Sequence, residues 1–197
     1  REAKQLEVRV RRANFENQRT LEDFDFHFNP AVPKSKVLDL ATCTFVASKA
    51  SVGLRGPTGV GKSHIAQALG HRACRLGHRT LFLSAQEMLK QLRAGKGDGT
   101  YDRRLTKIAE VDLLIIDDLG LRPLTHDEPV DLYEVIRLRY ERGATVLTSN
   151  RDEEELHALF GDPLLASAAM DRLLHHTHVV RLDGDSYRNN KKRARRN

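Results

Sequence analysis

The sequence predicts an α/β fold with a parallel β-sheet covered by helices on both faces. Two observations lead to this prediction. Short, nearly continuous apolar runs alternate with longer helix-compatible segments along the 197 residues. Runs of this kind are typical of strands that are buried on both faces, as in parallel sheets. In addition, a glycine-rich turn directly follows the first apolar run and opens the first long helical segment.

The alternating elements can be placed from apolar runs and helix-ending glycines. Five apolar runs predict strands, at Val52–Leu54, Thr80–Ser84, Leu113–Asp117, Thr145–Ser149 and His178–Leu182. Six segments between them predict helices, at Ser63–Leu76, Gln86–Ala94, Asp102–Glu110, Asp127–Arg142, Glu153–Phe160 and Leu165–His175. Three of the helices are followed by glycine, a common residue at helix C-termini. The residues from Gly95 to Gly99 predict a flexible loop.

The residues before the first strand predict an appendage. Residues 1–22 are rich in Arg and Glu and predict a helical arm. The segment Leu21–Phe28 then places phenylalanines at alternate positions ahead of two prolines, which predicts an extended docking segment. Because the chain begins without Met inside a charged helical stretch, we expect a longer N-terminal region to precede it.

Composition narrows the class of protein. With 40% hydrophobic residues, the length suits one compact domain with short appendages. No apolar run approaches the roughly 20 residues of a membrane span, and the N-terminus lacks the apolar run of a signal peptide. We therefore expect a soluble, cytoplasmic protein without a membrane partner. Cys43 and Cys74 lack disulfide or zinc-site spacing and are expected to be reduced core residues.

The glycine-rich turn carries the strongest chemical signal. Its sequence matches the pattern GxxxxGK[ST] at every fixed position. Glycines let the backbone aim successive N–H groups at phosphate oxygens, and the following helix directs the positive end of its dipole the same way. Lys62 is expected to reach the β- and γ-phosphates, and Ser63 to hold Mg²⁺. The predicted nucleotide-binding residues are Gly56, Pro57, Thr58, Gly59, Val60, Gly61, Lys62 and Ser63.

The third strand candidate ends in two carboxylates. We expect Asp117 to hold Mg²⁺ through water or Ser63, and Asp118 to orient or deprotonate the attacking water. Nucleotide hydrolases of this type usually carry Glu at the second position. The shorter Asp118 suggests the hypothesis of a slow or partner-dependent ATPase.

The fourth strand candidate ends at Asn150, which fits a sensor of the γ-phosphate and water. A neutral amide can bond to both at once. The alternative is an Asn that only opens the next turn. The residues after the strand do not form the Asn-Lys-x-Asp guanine reader, so ATP is expected rather than GTP.

Two later arginines suit phosphate contacts, because arginine stays charged and offers a planar donor fork. Arg172 lies on a helix far along the chain from the glycine-rich turn and fits a finger given to a neighbouring subunit's ATP. Arg188 fits a contact to its own site. The alternative for each is a surface ion pair.

The excess positive charge lies entirely at the C-terminus. Six of the 33 basic residues fall in residues 188–197, which contain no acidic residue. The other 27 basic residues equal the 27 acidic residues in number, so residues 1–187 carry no formal net charge. Such a tail predicts an arm for phosphate backbones, with salt-sensitive affinity. A merely solubilising end is the alternative.

Taken together, the motifs resemble a known family. The segments GPTGVGKS, LLIIDDLG, TVLTSN, MDRLL and DSYR, in this order and spacing, resemble the AAA+ ATPases of the IstB and DnaC type, and LEDFDF is most similar to IstB proteins. The resemblance implies a five-stranded parallel sheet, a reduced lid domain, ATP-dependent self-assembly on duplex DNA and delivery of target DNA to a transposase. It also implies the trans finger role for Arg172 and the second sensor role for Arg188. The chain would then divide into an arm and docking segment (1–30), an ATPase domain (31–187) and a basic tail (188–197).

A DNA-binding surface is then expected between the second and third strands. Basic residues exceed acidic ones modestly there, and Tyr101 is the sole aromatic residue of residues 86–110, so phosphate contacts to duplex are expected rather than base stacking. The alternative is an ordinary solvated helical pair. The residues predicted to contact DNA are Lys90, Arg93, Lys96, Arg103, Arg104 and Lys107.

Three other functions remain open as rivals. A replicative helicase loader shares the ATPase core, with the helicase as partner. A small kinase would need an arginine-rich lid and an acceptor pocket, and neither is apparent. A purely architectural DNA-binding protein would not need intact Lys62, Ser63 and Asp117.

Overall fold

A computed structural model describes residues 2–187 and contains one five-stranded parallel sheet. The strands are β1 (Ser51–Arg55), β2 (Thr80–Ser84), β3 (Leu113–Asp117), β4 (Ala144–Ser149) and β5 (Thr177–Arg181). Their spatial order is β2-β3-β4-β1-β5, and each neighbouring pair is parallel. The α/β fold with a five-stranded parallel sheet is therefore confirmed. Beyond β5, the described residues include no lid domain.

Helices surround this sheet. They are α1 (Glu2–Arg12), α2 (Lys34–Leu40), α3 (Thr44–Ala47), α4 (Lys62–Arg75), α5 (Ala85–Asp98), α6 (Tyr101–Ala109), α7 (Glu128–Arg139), α8 (Glu153–Ala158) and α9 (Pro163–Leu174). The short helices α2 and α3 were not predicted. The expected loop at 95–99 is also wrong, because α5 continues through Gly95 and ends at Asp98, with Gly99 capping it at a φ of 73°. Within residues 2–187, no helix is both long and apolar enough to cross a membrane.

The core lies on both faces of the sheet. In β3, Leu113 and Ile115 pack into the cluster beneath α4, whereas Leu114 and Ile116 pack into the cluster formed with α5, α7 and α9. All four side chains are almost completely buried. Alternation between two buried faces explains why this strand reads as a continuous apolar run rather than an alternating one.

The N-terminal segment packs onto the sheet and α4. The Phe82 amide of the edge strand β2 donates to the Ala13 carbonyl over 2.7 Å, and Asn14 Nδ2 donates to the Phe82 carbonyl over 3.2 Å. These bonds cover part of an edge that would otherwise expose unpaired backbone groups. The following segment was expected to be extended, but it forms turns, and Phe24 and Phe26 pack against the α4 cluster.

Candidate nucleotide-binding site

The parallel sheet gathers the candidate residues at one edge. The loop after β1 meets the carboxyl ends of β3 and β4, and the Gly56 amide donates to the Ser149 carbonyl over 3.2 Å. Carboxyl ends of parallel strands are where open α/β sheets bind ligands. The order of strands thus explains why motifs far apart in the chain lie together.

The glycine-rich loop depends on backbone conformations that favour glycine. Gly59 and Gly61 have φ values of 89° and 104°, and a Cβ on Gly56 would lie 1.9 Å from the Leu182 carbonyl oxygen. Gly61 is the N-cap of α4, and no side chain caps the helix there. The first N–H groups of α4 are therefore suited to an anion, as expected for a phosphate-binding loop.

Lys62 lies within this loop and is only 6% exposed. Its Nζ donates hydrogen bonds of 2.8 Å to the carbonyls of Gly56 and Pro57. These bonds hold the ammonium group against the loop, in the region where phosphates would lie. Lys62 thus places a buried positive charge beside the backbone N–H groups of the loop, and this combination suits an anionic ligand.

The two carboxylates at the end of β3 lie in different environments. Asp117 is buried and accepts a 2.5 Å hydrogen bond from Thr148 Oγ1, whereas Asp118 is exposed and turns the chain with a φ of 55°. Burial raises the pKa of Asp117 above its ordinary value, the charge of Asp118 adds to the increase, and the hydroxyls of Thr148 and Ser63 oppose it. A carboxylate and a hydroxyl are oxygen ligands of the kind that Mg²⁺ prefers, so the residues fit that ion.

One cleft of about 730 Å³ brings the predicted residues together. Its walls include Lys62, Ser63, Asp117, Asp118 and Asn150. Asn150 is exposed and follows β4, the strand that lies between β3 and β1 in the sheet. The cleft is large enough for a nucleotide and presents cationic, hydroxyl, carboxylate and amide groups along its walls.

Sequence reasoning missed the segments that cover the loop from both ends of the chain. The Phe24 ring packs on Gly61, where an added Cβ would lie 2.5 Å from it, and the Thr20 carbonyl lies 2.8 Å from His64 Nε2. From the other end, the Tyr187 amide donates to the Gly59 carbonyl over 3.1 Å, and the Tyr187 ring meets Phe28 edge to face. The alternating phenylalanines of Leu21–Phe28 were a visible signal for this packing, although the sequence pattern was interpreted as a docking segment.

The structure separates Arg172 from this cleft. Arg172 lies near the end of α9 and lines a cavity together with Ser51 and Thr145, at the amino ends of β1 and β4. The loop and carboxylates lie at the carboxyl ends of the strands. Arg188 and the rest of the basic tail lie outside the described residues.

The predicted DNA-contacting residues fall into two groups. Lys90, Arg93, Arg103 and Lys107 have exposed side chains on α5 and α6. In contrast, Lys96 pairs with the buried Asp131 at 2.8 Å and with Asp127 at 3.3 Å. Arg104 pairs with Asp98 at 2.8 Å and donates to Thr100. Lys96 and Arg104 are thus committed to contacts within the protein.

The sequence comparisons agree with the chemistry of the cleft. The family described as IstB-like ATP-binding protein matches residues 1–195. The chain belongs to this family. An ATP-binding protein of insertion sequence IS21 from Pseudomonas aeruginosa is 37% identical over 95% of this chain and 71% of its own length. An insertion-sequence ATP-binding protein from Mycobacterium tuberculosis is 40% identical over 99% of this chain and 78% of its own.

Solved structures show the AAA+ P-loop fold. DnaI superposes with a TM-score of 0.72 at 22% identity, covering 84% of this IstB-like chain and 91% of DnaI. DnaA bound to AMPPCP and single-stranded DNA gives a TM-score of 0.70 at 22% identity, covering 93% of this chain and 56% of DnaA. The DnaC helicase loader gives a TM-score of 0.63 at 19% identity, covering 76% of this chain and 89% of the loader chain. These similarities establish the fold of the IstB-like chain.

Proposed function

We propose that this IstB-like protein hydrolyses ATP slowly and uses ATP binding to control its assembly on duplex DNA during transposition. The observation that carries the proposal is the convergence of Lys62, Ser63, Asp117, Asp118 and Asn150 on one cleft. Together they include the groups needed to hold a triphosphate, a metal ion and an attacking water. Membership of a family of insertion-sequence ATP-binding proteins supports ATP as the ligand.

Each residue has a distinct role in this proposal. The Gly56–Ser63 backbone and Lys62 bind phosphates, while Ser63 and Asp117 hold Mg²⁺, which when bound would neutralise charge on the phosphate oxygens. Asp118 orients the water or takes its proton, and Asn150 bonds to the water and the γ-phosphate. Because Asp118 is shorter than the usual Glu, we expect slow hydrolysis that a partner accelerates.

We further propose that neighbouring subunits complete the site. Arg172 lies near the amino ends of the strands, whereas the nucleotide cleft of the same subunit lies at their carboxyl ends. This position supports a contribution of Arg172 to the nucleotide site of a second copy of the chain. Arg188 keeps the second-sensor role that its motif implies. An arginine finger stabilises the charge of the transition state, and it would link hydrolysis to assembly.

The DNA surface of the proposal is narrower than the sequence predicted. The exposed side chains of Lys90, Arg93, Arg103 and Lys107 are available for phosphates, whereas Lys96 and Arg104 have carboxylate partners. The basic tail would add further phosphate contacts. Among known folds of this type, DnaA has been observed with single-stranded DNA, so the choice of duplex is itself a point to test.

The nearest alternative is loading of a replicative helicase. The fold similarity to the DnaC helicase loader permits it, but it rests on 19% identity and carries no functional information. The insertion-sequence relatives are 33–40% identical over nearly the whole chain. This difference supports a transposase as the partner.

Electron microscopy can test the switch. The protein should form ordered assemblies on duplex DNA with ATP, and not with ADP. The Lys62→Ala variant, when no other subunit is present, should fail to assemble with either nucleotide. Equal assembly under all conditions, or no effect of ATP on DNA binding, would overturn the proposal. Binding of a purified cognate transposase, compared with a replicative helicase, decides between the two partners.

A further inference from the structure

We propose that Tyr133 and Tyr140 are positioning residues that hold Arg172 ready for a nucleotide bound to a second copy of this chain. The inference rests on the trans role of Arg172 proposed above. It adds two residues to that role, and it assigns the function of an open cavity on the far side of the molecule from the nucleotide cleft.

The Arg172 side chain is held by two aromatic rings and one carbonyl. Its guanidinium carbon lies 5.7 Å from the centroid of the Tyr133 ring and 5.9 Å from that of Tyr140. Arg172 Nη1 also donates a 2.8 Å hydrogen bond to the Ala168 carbonyl in the preceding turn of α9. Both distances to the rings fall within the range of cation–π attraction. A long, flexible side chain is thereby confined to one region.

These contacts fix the guanidinium without neutralising it. Among the described residues, no carboxylate forms an ion pair with Arg172, whereas the nearby Arg137 pairs with Glu134 at 2.7 Å. Aromatic rings attract the positive charge yet leave most N–H donors unused. An arginine with a purely structural role on a surface is more simply held by an acid, as Arg137 is. The arrangement around Arg172 instead preserves its charge for an incoming anion.

The turn after α7 brings a second cation to the same place. Glu141 adopts a left-handed φ of 59°, which costs free energy for a residue with a side chain. This turn places Tyr140 and Arg142 beside Arg172 of α9, and the three residues line an open cavity of about 440 Å³. Within residues 2–187, Arg142 makes no ion pair. The lining also includes Arg137, which is paired with Glu134, and the carboxylate of Glu141. Positive charge still exceeds negative charge around the cavity, which suits a phosphate.

The phosphate cannot come from the same subunit's nucleotide. The cavities around Arg172 lie by the amino ends of β1 and β4, and the nucleotide cleft lies at the carboxyl ends. A strand of five or six residues spans about 17–20 Å, more than an arginine side chain can reach. A nucleotide on a second copy satisfies both the charge and the geometry.

A mixing experiment with full-length chains tests the positioning role. The Lys62→Ala subunit lacks the ATP-binding lysine but supplies Arg172, and the Arg172→Ala subunit binds ATP but lacks the finger. Mixing them with duplex DNA should restore hydrolysis that neither shows alone. Tyr140→Leu is then added to one subunit at a time, with Tyr133→Leu as a second, independent variant.

The expected result is asymmetric. Tyr140→Leu in the Lys62→Ala subunit should lower the restored rate on the order of 2- to 5-fold, the effect of losing one cation–π contact. The same change in the Arg172→Ala subunit should have no effect, because that subunit contributes no finger. Tyr140→Phe in the Lys62→Ala subunit should restore the rate, because it keeps the ring and loses only the hydroxyl that lies 2.9 Å from His175 Nδ1.

Other outcomes separate the two proposals. If mixing the parent variants restores no hydrolysis, the trans role of Arg172 fails. If mixing works but Tyr140→Leu and Tyr133→Leu act equally in both subunits, or in neither, only the positioning role fails. Weaker DNA binding without the asymmetry would assign the cavity to a DNA phosphate and also overturn the inference. Thermal unfolding and binding of a fluorescent ATP analogue to each single variant check that the fold and its own site are intact.

Discussion

Thr148 Oγ1 donates a 2.5 Å hydrogen bond to Asp117 Oδ1 and accepts one of 2.9 Å from the Asp118 amide. One completely buried hydroxyl therefore connects both carboxylates of the candidate site through side chain and backbone. It holds the expected metal-binding carboxylate in place and fixes the turn that carries the expected water-orienting one. Thr148 is thus a second determinant of the site, although it lies inside a strand.

Replacing Thr148 with valine should damage both stability and pH dependence. The change keeps the shape but leaves the Asp118 amide and a buried carboxylate oxygen without this partner, which costs about 1–3 kcal/mol. The Thr148 hydroxyl lowers the pKa of Asp117, so its loss raises that pKa further and moves the acid limb of ATP hydrolysis to higher pH. Chemical denaturation and a pH–rate profile measure the two effects. Thr148→Ser, which keeps the hydroxyl, should retain the wild-type acid limb; equal shifts in both variants would contradict this role.

Asp117→Asn should stabilise the nucleotide-free protein near neutral pH while impairing hydrolysis. Since burial raises the pKa of Asp117 in the fold, its contribution to stability is present below the ordinary value of 3.8 and is lost as pH rises through the folded value. The amide removes this loss and still accepts the Thr148 bond. Hydrolysis should fall on the order of 100-fold, because even outer-shell partners of a metal are worth 10- to 100-fold. Thermal unfolding near neutral pH and near pH 3.8 tests the sign. A gain in stability that is as large near pH 3.8 as near neutral pH would show another cause.

The sequence predicted the sheet better than the contacts that complete the site. The bounds of β2 and β3 were correct, since fully buried strands are continuous apolar runs bounded by polar residues. The short helix α3 has four residues and no periodic pattern to reveal it. The role of Thr148 was missed because it depends on the register of β3 and β4. Ile116 pairs with Leu147, so the next residues along the two strands, Asp117 and Thr148, lie beside each other. Packing of Phe24 on Gly61 likewise joins segments that no local pattern relates.

Arg139 should be far more important for stability than its neighbour Arg137. Arg139 is 3% exposed, and its guanidinium bonds to the carbonyls of Ala109, Val111 and Ala144 and to the Thr145 hydroxyl, connecting α6, α7 and β4. Arg139→Leu would leave these acceptors unsatisfied and should cost about 3 kcal/mol or more.

The matched control is Arg137→Leu, since Arg137 is exposed and, among residues 2–187, forms an ion pair with Glu134 alone, across one helical turn. Such surface pairs contribute about 0–1 kcal/mol. Urea unfolding of both variants gives the comparison. Similar losses of stability would contradict the assigned difference between the two arginines.

The exposed and paired cations of α5 and α6 should behave differently toward duplex DNA. Arg103→Ala removes an exposed charge and should lower affinity and reduce the slope of log K against log salt by about 1. Lys96→Ala should leave that slope unchanged and instead lower stability, because the buried Asp131 loses a cation at 2.8 Å. Fluorescence anisotropy across a salt series, together with thermal unfolding, separates the two effects. A reduced slope for Lys96→Ala, together with an unchanged slope for Arg103→Ala, would reverse the assignment.

Two glycines near the end of α5 should respond to alanine with opposite signs. Gly97 lies within the helix, and nothing within 4 Å would meet an added Cβ, so Gly97→Ala should stabilise the protein by about 0.5–1 kcal/mol through helix propensity. Gly99 also has open space, but its φ of 73° is left-handed, and Gly99→Ala should cost about 1–2 kcal/mol. Because space is equal at both positions, backbone conformation alone sets the sign. Urea unfolding of the two variants measures it, and a stabilising Gly99→Ala would show that α5 does not end where the structure places it.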